Sequence, residues 1–322
     1  MLTVPRSWSA VTPAWMSTAL GRPVERVRVR ETVDGTNARA TVELEGVDVP
    51  ERVFVKREGR PLNRLALTAL GAREAEAELA AWAPTLPLEH PRFLAAATDR
   101  RRLAAVVVME DVTLRGGRPT SALTPLTVAQ VAAGLAGLAR LHARYWEAPL
   151  PAFVRPWRLG PAWSPVVRGG FHRALRTLGA QLDTAELDRG FRGWARLAAQ
   201  GPRTLLHGDP HPGNTYLLGD ALGFYDWQLV RAGSWVHDVG YLVVSSLTLA
   251  DRREHERALL EHYLRTLGRR PPDAWEHYRR SPVFGLGSWL QTLAAGTFQP
   301  RDVCLVTLDR FLAAYRDLSG DV

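Results

Sequence analysis

Apolar and polar residues alternate along Val24–Val33, where Val27 and Val29 interleave with Arg26, Arg28 and Arg30. That period of two marks a half-buried strand. Asp34-Gly35-Thr36-Asn37 is turn chemistry, and Ala38–Leu44 resumes a strand. Glu51–Arg57, built around Val53-Phe54-Val55-Lys56, predicts a third strand, and Phe93–Thr98 with Leu103–Met109 predict a last hairpin. Between them, Gly71–Trp82 consists of strong helix formers and stops before Pro84. Beyond Glu110–Thr120, whose Gly116-Gly117 and Pro119 read as a linker, the spacing turns helical. Thr127–Ala148 carries Val131, Leu135, Leu138, Leu141 and Tyr145 on one face, capped by Thr124 or Thr127. His142 shares that face and reads as a packed, hydrogen-bonded core residue. Further helices are predicted at 169–181, 185–200, 236–249, 251–267, 273–279, 284–296 and 301–318, with Trp275 and Trp289 as core residues. The pattern predicts an α+β fold: a small antiparallel sheet with one main helix over 1–108, a linker over 109–120, and a larger, mostly helical part over 121–322. Pro149–Pro165 holds five prolines with Trp157 and Trp163; a rigid wall over a pocket and a strap on the surface fit it equally.

Composition changes this picture in three places. A chain of 322 residues is long for one compact core and suits two lobes around one cleft. Its single cysteine, Cys304, forms no internal disulfide and fits a reducing compartment. No basic-then-apolar leader opens the sequence, and apolar runs such as Leu103–Met109 are too short to span a bilayer, so a cytoplasmic protein is expected. The net charge of +8 raises nucleic acid as a partner. Yet Arg100-Arg101-Arg102 and Arg252-Arg253 are short runs beside Asp99, Asp251 and Glu254, so the cations are dispersed and neither nucleic acid nor membrane is an expected partner.

The candidate chemistry lies in Thr204–Trp227. Thr204-Leu205-Leu206 leads into His207-Gly208-Asp209-Pro210-His211-Pro212-Gly213-Asn214, and Tyr216-Leu217-Leu218 leads out. Gly219-Asp220 then turns the chain into Gly223-Phe224-Tyr225. Two strands joined so tightly lie side by side, which is expected to return Asp226 towards the loop of Asp209 and Asn214. Phosphoryl transfer uses such a trio: one Asp to accept the proton of an attacking hydroxyl, and an Asn and a second Asp to hold Mg2+ on nucleotide phosphates. Pro210 and Pro212 stiffen the loop. Lysine supplies a second signal. Lys56 is the only lysine among 41 basic residues, the rest being arginine. A chain so committed to arginine keeps a compact ammonium where a guanidinium does not fit, as in the grip on nucleotide phosphates.

These marks resemble the aminoglycoside phosphotransferase family and its choline kinase and ecdysteroid kinase-like relatives, which share the protein-kinase-like fold. His-Gly-Asp-x-His-x-x-Asn is matched in full at 207–214, and Asp226-Trp227 matches the metal-binding Asp-Trp. Asp238, in His237-Asp238-Val239-Gly240, matches a further acid, read as tying the next helix to the catalytic loop. Met109-Glu110-Asp111 resembles the segment joining the lobes, where adenine meets backbone groups. Leu138–Trp146 resembles a helix of the ecdysteroid-kinase-like branch. The resemblance runs from about Gly35 to Asp238. It implies a small-molecule kinase using ATP or GTP with Mg2+: Asp209 catalytic, Asn214 and Asp226 on the metal, Lys56 on the phosphates. Gly35, in the first hairpin turn, is the single glycine where the family covers the phosphates. His207 and His211 are read as bracing the loop. The helix glutamate paired with Lys56 is expected to be Glu74, with Glu78 next because it shares that face, and Glu76 pointing elsewhere. The acceptor is a small hydroxylated molecule, with antibiotics among the classes the family handles. A strongly positive chain attracts polycationic sugars poorly. A monomer or homodimer is expected.

Two rivals remain. His207, Asp209 and His211 alternate as metal ligands could, which would suit a metal-dependent hydrolase; that reading leaves Asn214, Asp226 and Lys56 without roles. The second is a kinase-fold binding protein without activity. No Gly-x-Ser-x-Gly surrounds Ser164, Ser234 or Ser245, so a serine hydrolase is not indicated. The lone lysine yields a test. Lys56→Arg is expected to lose nucleotide affinity and turnover nearly as fully as Lys56→Ala, since a planar guanidinium cannot stand in for the ammonium. An active Lys56→Arg protein would mean that the solitary lysine is an accident.

Overall fold

The computed structural model describes residues 2–34, 37–59, 74–156, 172–176, 184–296 and 298–318. The chain divides into two compact units. The first comprises Met1–Leu86, His90–Arg118 and Tyr225–Val230; the second comprises Pro87–Glu89, Pro119–Phe224 and Arg231–Val322.

The first unit is built on five strands, β1 (Val24–Asp34), β2 (Asn37–Gly46), β3 (Arg52–Glu58), β4 (Phe93–Asp99) and β5 (Ala104–Glu110). They are antiparallel in the order β1-β2-β3-β5-β4. Side chains of β3 alternate between its faces. Val53 and Val55 join Ala40, Val42, Val106 and Val108 in one apolar layer, sealed by Met16 of helix α1 (Pro13–Leu20). Phe54 lies on the opposite face with Val107, Met109 and helix α2 (Ala75–Trp82). The same alternation sends Lys56, in the central strand β3, to the α2 side. The sequence reading omitted α1, although Thr12 caps it, Pro13 opens it and Gly21 ends it in the left-handed conformation. Helix α2 was expected from Gly71; residues 71–73 lie outside the described residues, as do Gly35 and positions 157–165 of the Pro/Trp stretch.

The chain passes from the first unit to the second within the short strand β6 (Arg118–Pro119); helix α3 (Val128–Arg144) follows, which Thr127 and Gln130 start with reciprocal side-chain-to-backbone bonds. Helix α4 (Thr184–Gln200) and strand β7 (Arg203–Leu206) follow, then strands β8 (Thr215–Leu218), β9 (Ala221–Phe224) and β10 (Arg231–Ser234). The expected hairpin is β8–β9, with Thr215 opposite Phe224. Strand β10, not expected from its Gly-containing sequence, pairs antiparallel with β7. The remaining helices are α5 (Val236–Ser246), α6 (Leu249–Leu267), α7 (Ala274–Arg280), α8 (Pro282–Ala295) and α9 (Arg301–Leu318). Their core is aromatic: Phe191 and Trp194 of α4, Tyr241 of α5, Trp289 of α8, and Phe311 and Tyr315 of α9 share one buried cluster. Trp289 is a core residue, as expected. No helix among the described residues is long and apolar enough to cross a membrane.

Helices α8 and α9 pack closely enough that a Cβ added at Gly285 would lie 2.0 Å from Phe311 Cε1. Gly285→Ala therefore overpacks this core, at a cost of about 1–3 kcal/mol. At Gly193, in α4, an added Cβ meets nothing within 4 Å, so Gly193→Ala is expected to stabilise by about 0.5–1 kcal/mol. Chemical unfolding of both variants gives opposite shifts if this packing is right.

Candidate active site

Within the first unit, Lys56 is 7% exposed and its Nζ meets two carboxylates. Glu76 Oε2 accepts at 2.7 Å, and Asp226 Oδ1 accepts as well. Burial alone would lower the pKa of the ammonium; Asp226 and then Glu76 outweigh it and hold it above its ordinary value. Burial pushes the Glu76 carboxyl up, only partly countered by Lys56. Glu76 also accepts the Trp227 backbone N–H on Oε1 at 3.0 Å, so its two oxygens hold the lysine and the residue after Asp226. Asp226 sits at φ 64°, a left-handed conformation that is uncommon for a residue with a side chain. Tyr225, next to it, has its hydroxyl pushed up to about 12 by burial and by Asp226.

The expected partner of Lys56, Glu74, is thus replaced by Glu76. The helix begins at Ala75, leaving Glu74 at its capping position, and α2 buries Ala75, Glu76, Ala77, Leu79 and Ala80. Glu78 pairs with Arg100 at 3.2 Å. Choosing between three alternating glutamates required the helix phase, which the apolar pattern of an alanine-rich segment does not fix.

Met109, Glu110 and Asp111 close the first sheet. The Met109 side chain is buried against Ala77, Ala80 and Val107. The Glu110 carboxylate accepts from Arg92 N at 2.9 Å, Arg92 Nε at 2.8 Å and Arg115 at 2.8 Å. Burial would raise its pKa, but these donors hold it below its ordinary value. Asp111 accepts from Arg52 Nε and from the Thr113 N–H. Both acids are spent on shaping the segment.

In the second unit, Asp209 lies on the loop between β7 and β8. Asn214 Nδ2 donates to the Asp209 backbone oxygen at 3.0 Å and to its Oδ2 at 3.1 Å. Among the described residues, Asn214 Oδ1 accepts no hydrogen bond, so a carbonyl-type oxygen beside the aspartate remains available as a cation ligand. His207 Nδ1 accepts from the Asp209 N–H at 3.2 Å, and His211 Nδ1 accepts from the Gly213 N–H at 3.0 Å. Both rings brace the loop, and His211 stands edge-on to Trp289 at 5.2 Å. Among the described residues no group of three His, Cys, Asp or Glu side chains is placed to hold a metal.

Asp238 anchors this loop from below. Its oxygens accept the His207 N–H at 2.7 Å and the Gly208 N–H at 3.0 Å, and Gly208 takes φ 88°, where a side chain is strained. His142 Nε2 lies 3.3 Å from Asp238 Oδ2, and His142 Nδ1 meets the Tyr263 hydroxyl at 2.7 Å. Burial would raise the Asp238 carboxyl, but the bond from His142 and the nearby imidazoles hold it below its ordinary value. The sequence reading missed Arg231, whose guanidinium burial pushes down against the pull of Asp209 and Asp238. It also missed Tyr241, whose hydroxyl burial raises, with Asp209 adding to the shift. Neither belongs to a readable motif; only the fold brings them to Asp209.

The family model of the phosphotransferase enzyme family matches residues 30–279. Among solved structures, a putative aminoglycoside phosphotransferase from Ralstonia eutropha is 15% identical, with 95% of this chain and 97% of that one covered and a TM-score of 0.59. A choline kinase from Cryptosporidium parvum is 12% identical over 96% of this chain and 93% of its own, with a TM-score of 0.59. An amicoumacin kinase in complex with AMP-PNP and Ca2+ is 12% identical over 94% and 92%, with a TM-score of 0.54. At these identities the likeness shows the fold, which is kinase-like: an antiparallel five-stranded sheet followed by a helical C-terminal part. A search of curated proteins gives no match.

The Lys56–Glu76 pair generates a test. Removing one partner of a buried pair strands the other charge and costs about 3–5 kcal/mol. Glu76→Ala is expected to lose stability on that scale, and Glu74→Ala to stay within about 1 kcal/mol of the parent. Equal losses in urea unfolding would show that the pair is not formed.

Proposed function

The chain belongs to the phosphotransferase enzyme family, and from that premise we propose that it is a small-molecule kinase. It transfers the γ-phosphate of ATP or GTP to a hydroxyl of a small acceptor. The observation that carries this reading is Lys56: the one lysine of an arginine-rich chain is buried and kept charged by Glu76 and Asp226. A positive group prepared in this way suits nucleotide phosphates.

Residues 1–108 form the nucleotide lobe, 109–120 the linker whose backbone meets the base, and 121–322 the lobe that bears the catalytic loop. Asp209 orients the acceptor hydroxyl and takes its proton. Its carboxylate is steadied by Asn214, and its backbone by His207. Asn214 and Asp226 are the metal ligands, one amide oxygen and one carboxylate, which is donor chemistry suited to Mg2+. The available Asn214 Oδ1 supports that role. When bound, the cation neutralises charge on the nucleotide phosphates. Lys56 donates to those phosphates and is itself positioned by Glu76. His207, His211 and Asp238 hold the loop so that Asp209 needs little reorganisation as charge develops. Gly35 is assigned to the turn over the phosphates by the resemblance alone.

The named acceptors of the structural relatives, choline and amicoumacin among them, span unlike chemistries, so the acceptor is assigned by class: a small hydroxylated metabolite or antibiotic. The protein is proposed to work in the cytoplasm as a monomer or homodimer, without nucleic acid.

Two measurements test this reading. In an ATP-consumption screen across hydroxylated metabolites and antibiotics, Asp209→Asn is expected to keep nucleotide binding and to lose about 10²–10⁴-fold in turnover. A variant with parental turnover removes Asp209 from the mechanism, and a screen with no turnover on any acceptor favours the inactive kinase-fold protein. Metal analysis of the purified protein should find Mg2+ retained appreciably only with nucleotide, because two side chains alone make a weak site. Stoichiometric zinc would favour the hydrolase.

A further inference from the structure

Away from the catalytic loop, the second unit has a cleft of about 420 Å³ between α6, α7 and the end of α9. Arg253, Glu256, Arg257, Trp275, Arg279 and Asp317 line it. With Glu254, its lining carries three arginines and three carboxylates, but they are not paired one to one. Asp317 serves two arginines, Arg252 and Arg253. Glu276 likewise serves both Arg279 and Arg280. Glu256 is taken by Arg252 at 2.9 Å and by the Tyr278 hydroxyl at 3.1 Å. Glu254, on the rim, lies 3.8 Å from His255. Of the three arginines that line the cleft, Arg253 and Arg279 are thus paired with carboxylates.

Arg257 makes no ion pair among the described residues. Its guanidinium carbon lies 3.7 Å over the Trp275 ring, and that ring is stacked on Tyr278 with centroids 5.4 Å apart. Stacking fixes the guanidinium plane without using its N–H groups, which lie at the edge of that plane. A planar fork held over a ring, exposed and without a carboxylate, is prepared to bind an anion through paired hydrogen bonds. Arg253 and Arg279 stand on the same wall, each already paired with a carboxylate. The volume falls in the range of small-molecule sites.

We propose that this cleft binds a small organic anion through a phosphate or carboxylate head, with Arg257 as its principal contact. The site is separate from the residues assigned to phosphoryl transfer, and its test does not depend on the acceptor.

Isothermal titration of the full chain with inorganic phosphate and with citrate, at constant ionic strength, is the measurement. Saturable binding with a dissociation constant in the range of ~1 mM is expected for at least one of them, and their ranking names the head group. Arg257→Gln should weaken it about tenfold, the equivalent of one lost charge-assisted contact. Arg257→Lys, which keeps the charge and loses the fork, should weaken it as well. Trp275→Phe should abolish any fluorescence change that accompanies binding. Arg257 is exposed, so the variants are expected to fold, and an unchanged melting curve checks it. Kinase turnover, where an acceptor is known, should be unaltered by Arg257→Gln. The proposal is overturned by an absence of saturable binding up to ~10 mM, by equal binding in Arg257→Gln, or by chloride alone giving the same response.

Discussion

Taking an ammonium out of water into a protein interior costs several kcal/mol, and the cost is met only by well-placed partners. Lys56 has two, Glu76 and Asp226, and the order of the first unit around it follows from that requirement. Helix α2 must bury a glutamate on the face that packs against the sheet, so an otherwise apolar helix face carries Glu76 among alanines. Strand β3 must send Lys56 to that same side, which fixes its register against β2 and β5, with Arg39 and Val107 as its cross-strand neighbours. Asp226 must hold a backbone conformation that costs on the order of 1–3 kcal/mol for a non-glycine residue. Its side chain is fixed by Lys56 and the next N–H by Glu76. Loss of any one member leaves a buried charge or a strained turn without its support.

The second unit solves a related problem with the opposite charge. Asp238 is fully buried and ionised, and it is tolerable there because two backbone N–H groups and His142 donate to it. Those N–H groups belong to His207 and Gly208, so the neutralisation of one buried carboxylate sets the path of the loop leading to Asp209. The Tyr263 hydroxyl on His142 extends the chain of bonds to α6. A network of this kind is worth most when complete and is costly when one member is missing, which favours a loop with a single conformation over an adaptable one.

Much of this was legible in the chain because it rests on local periodicity. The strands around Val53 and Val106, the Thr127-capped helix and the tight β8–β9 hairpin each carry their own signal within a dozen residues. The residues of the His-Gly-Asp loop were legible for another reason: their types and spacing are chemically specific. What escaped were features decided by phase or by distance along the chain. Glu74, Glu76 and Glu78 differ only in rotation about the axis of a short alanine-rich helix, and the packing against β3 and β5 makes the choice. Helix α1 has good caps but little apolar contrast across its faces. Arg231 reaches Asp209 and Asp238 only because β10 pairs with β7, and nothing in Arg231–Ser234 announces a strand.

The division of labour between the two cations follows from geometry. Arginine appears here where one carboxylate is met side-on or an aromatic face is covered: Arg253 takes both oxygens of Asp317, and the Arg257 guanidinium lies 3.7 Å over the Trp275 ring. A guanidinium offers its donors in one plane, so it serves carboxylates lying in that plane and an aromatic face above it. Between α2 and the Asp226 turn the demand is different. Two carboxylates approach from separate elements, and both must be reached by a group small enough to be buried. An ammonium, with three donors spread around one nitrogen, meets that demand; a guanidinium of the same charge would need a larger cavity. Lysine is retained where Glu76 and Asp226 share one buried cation, whereas at Arg252, buried between Glu256 and Asp317, a larger guanidinium is accommodated.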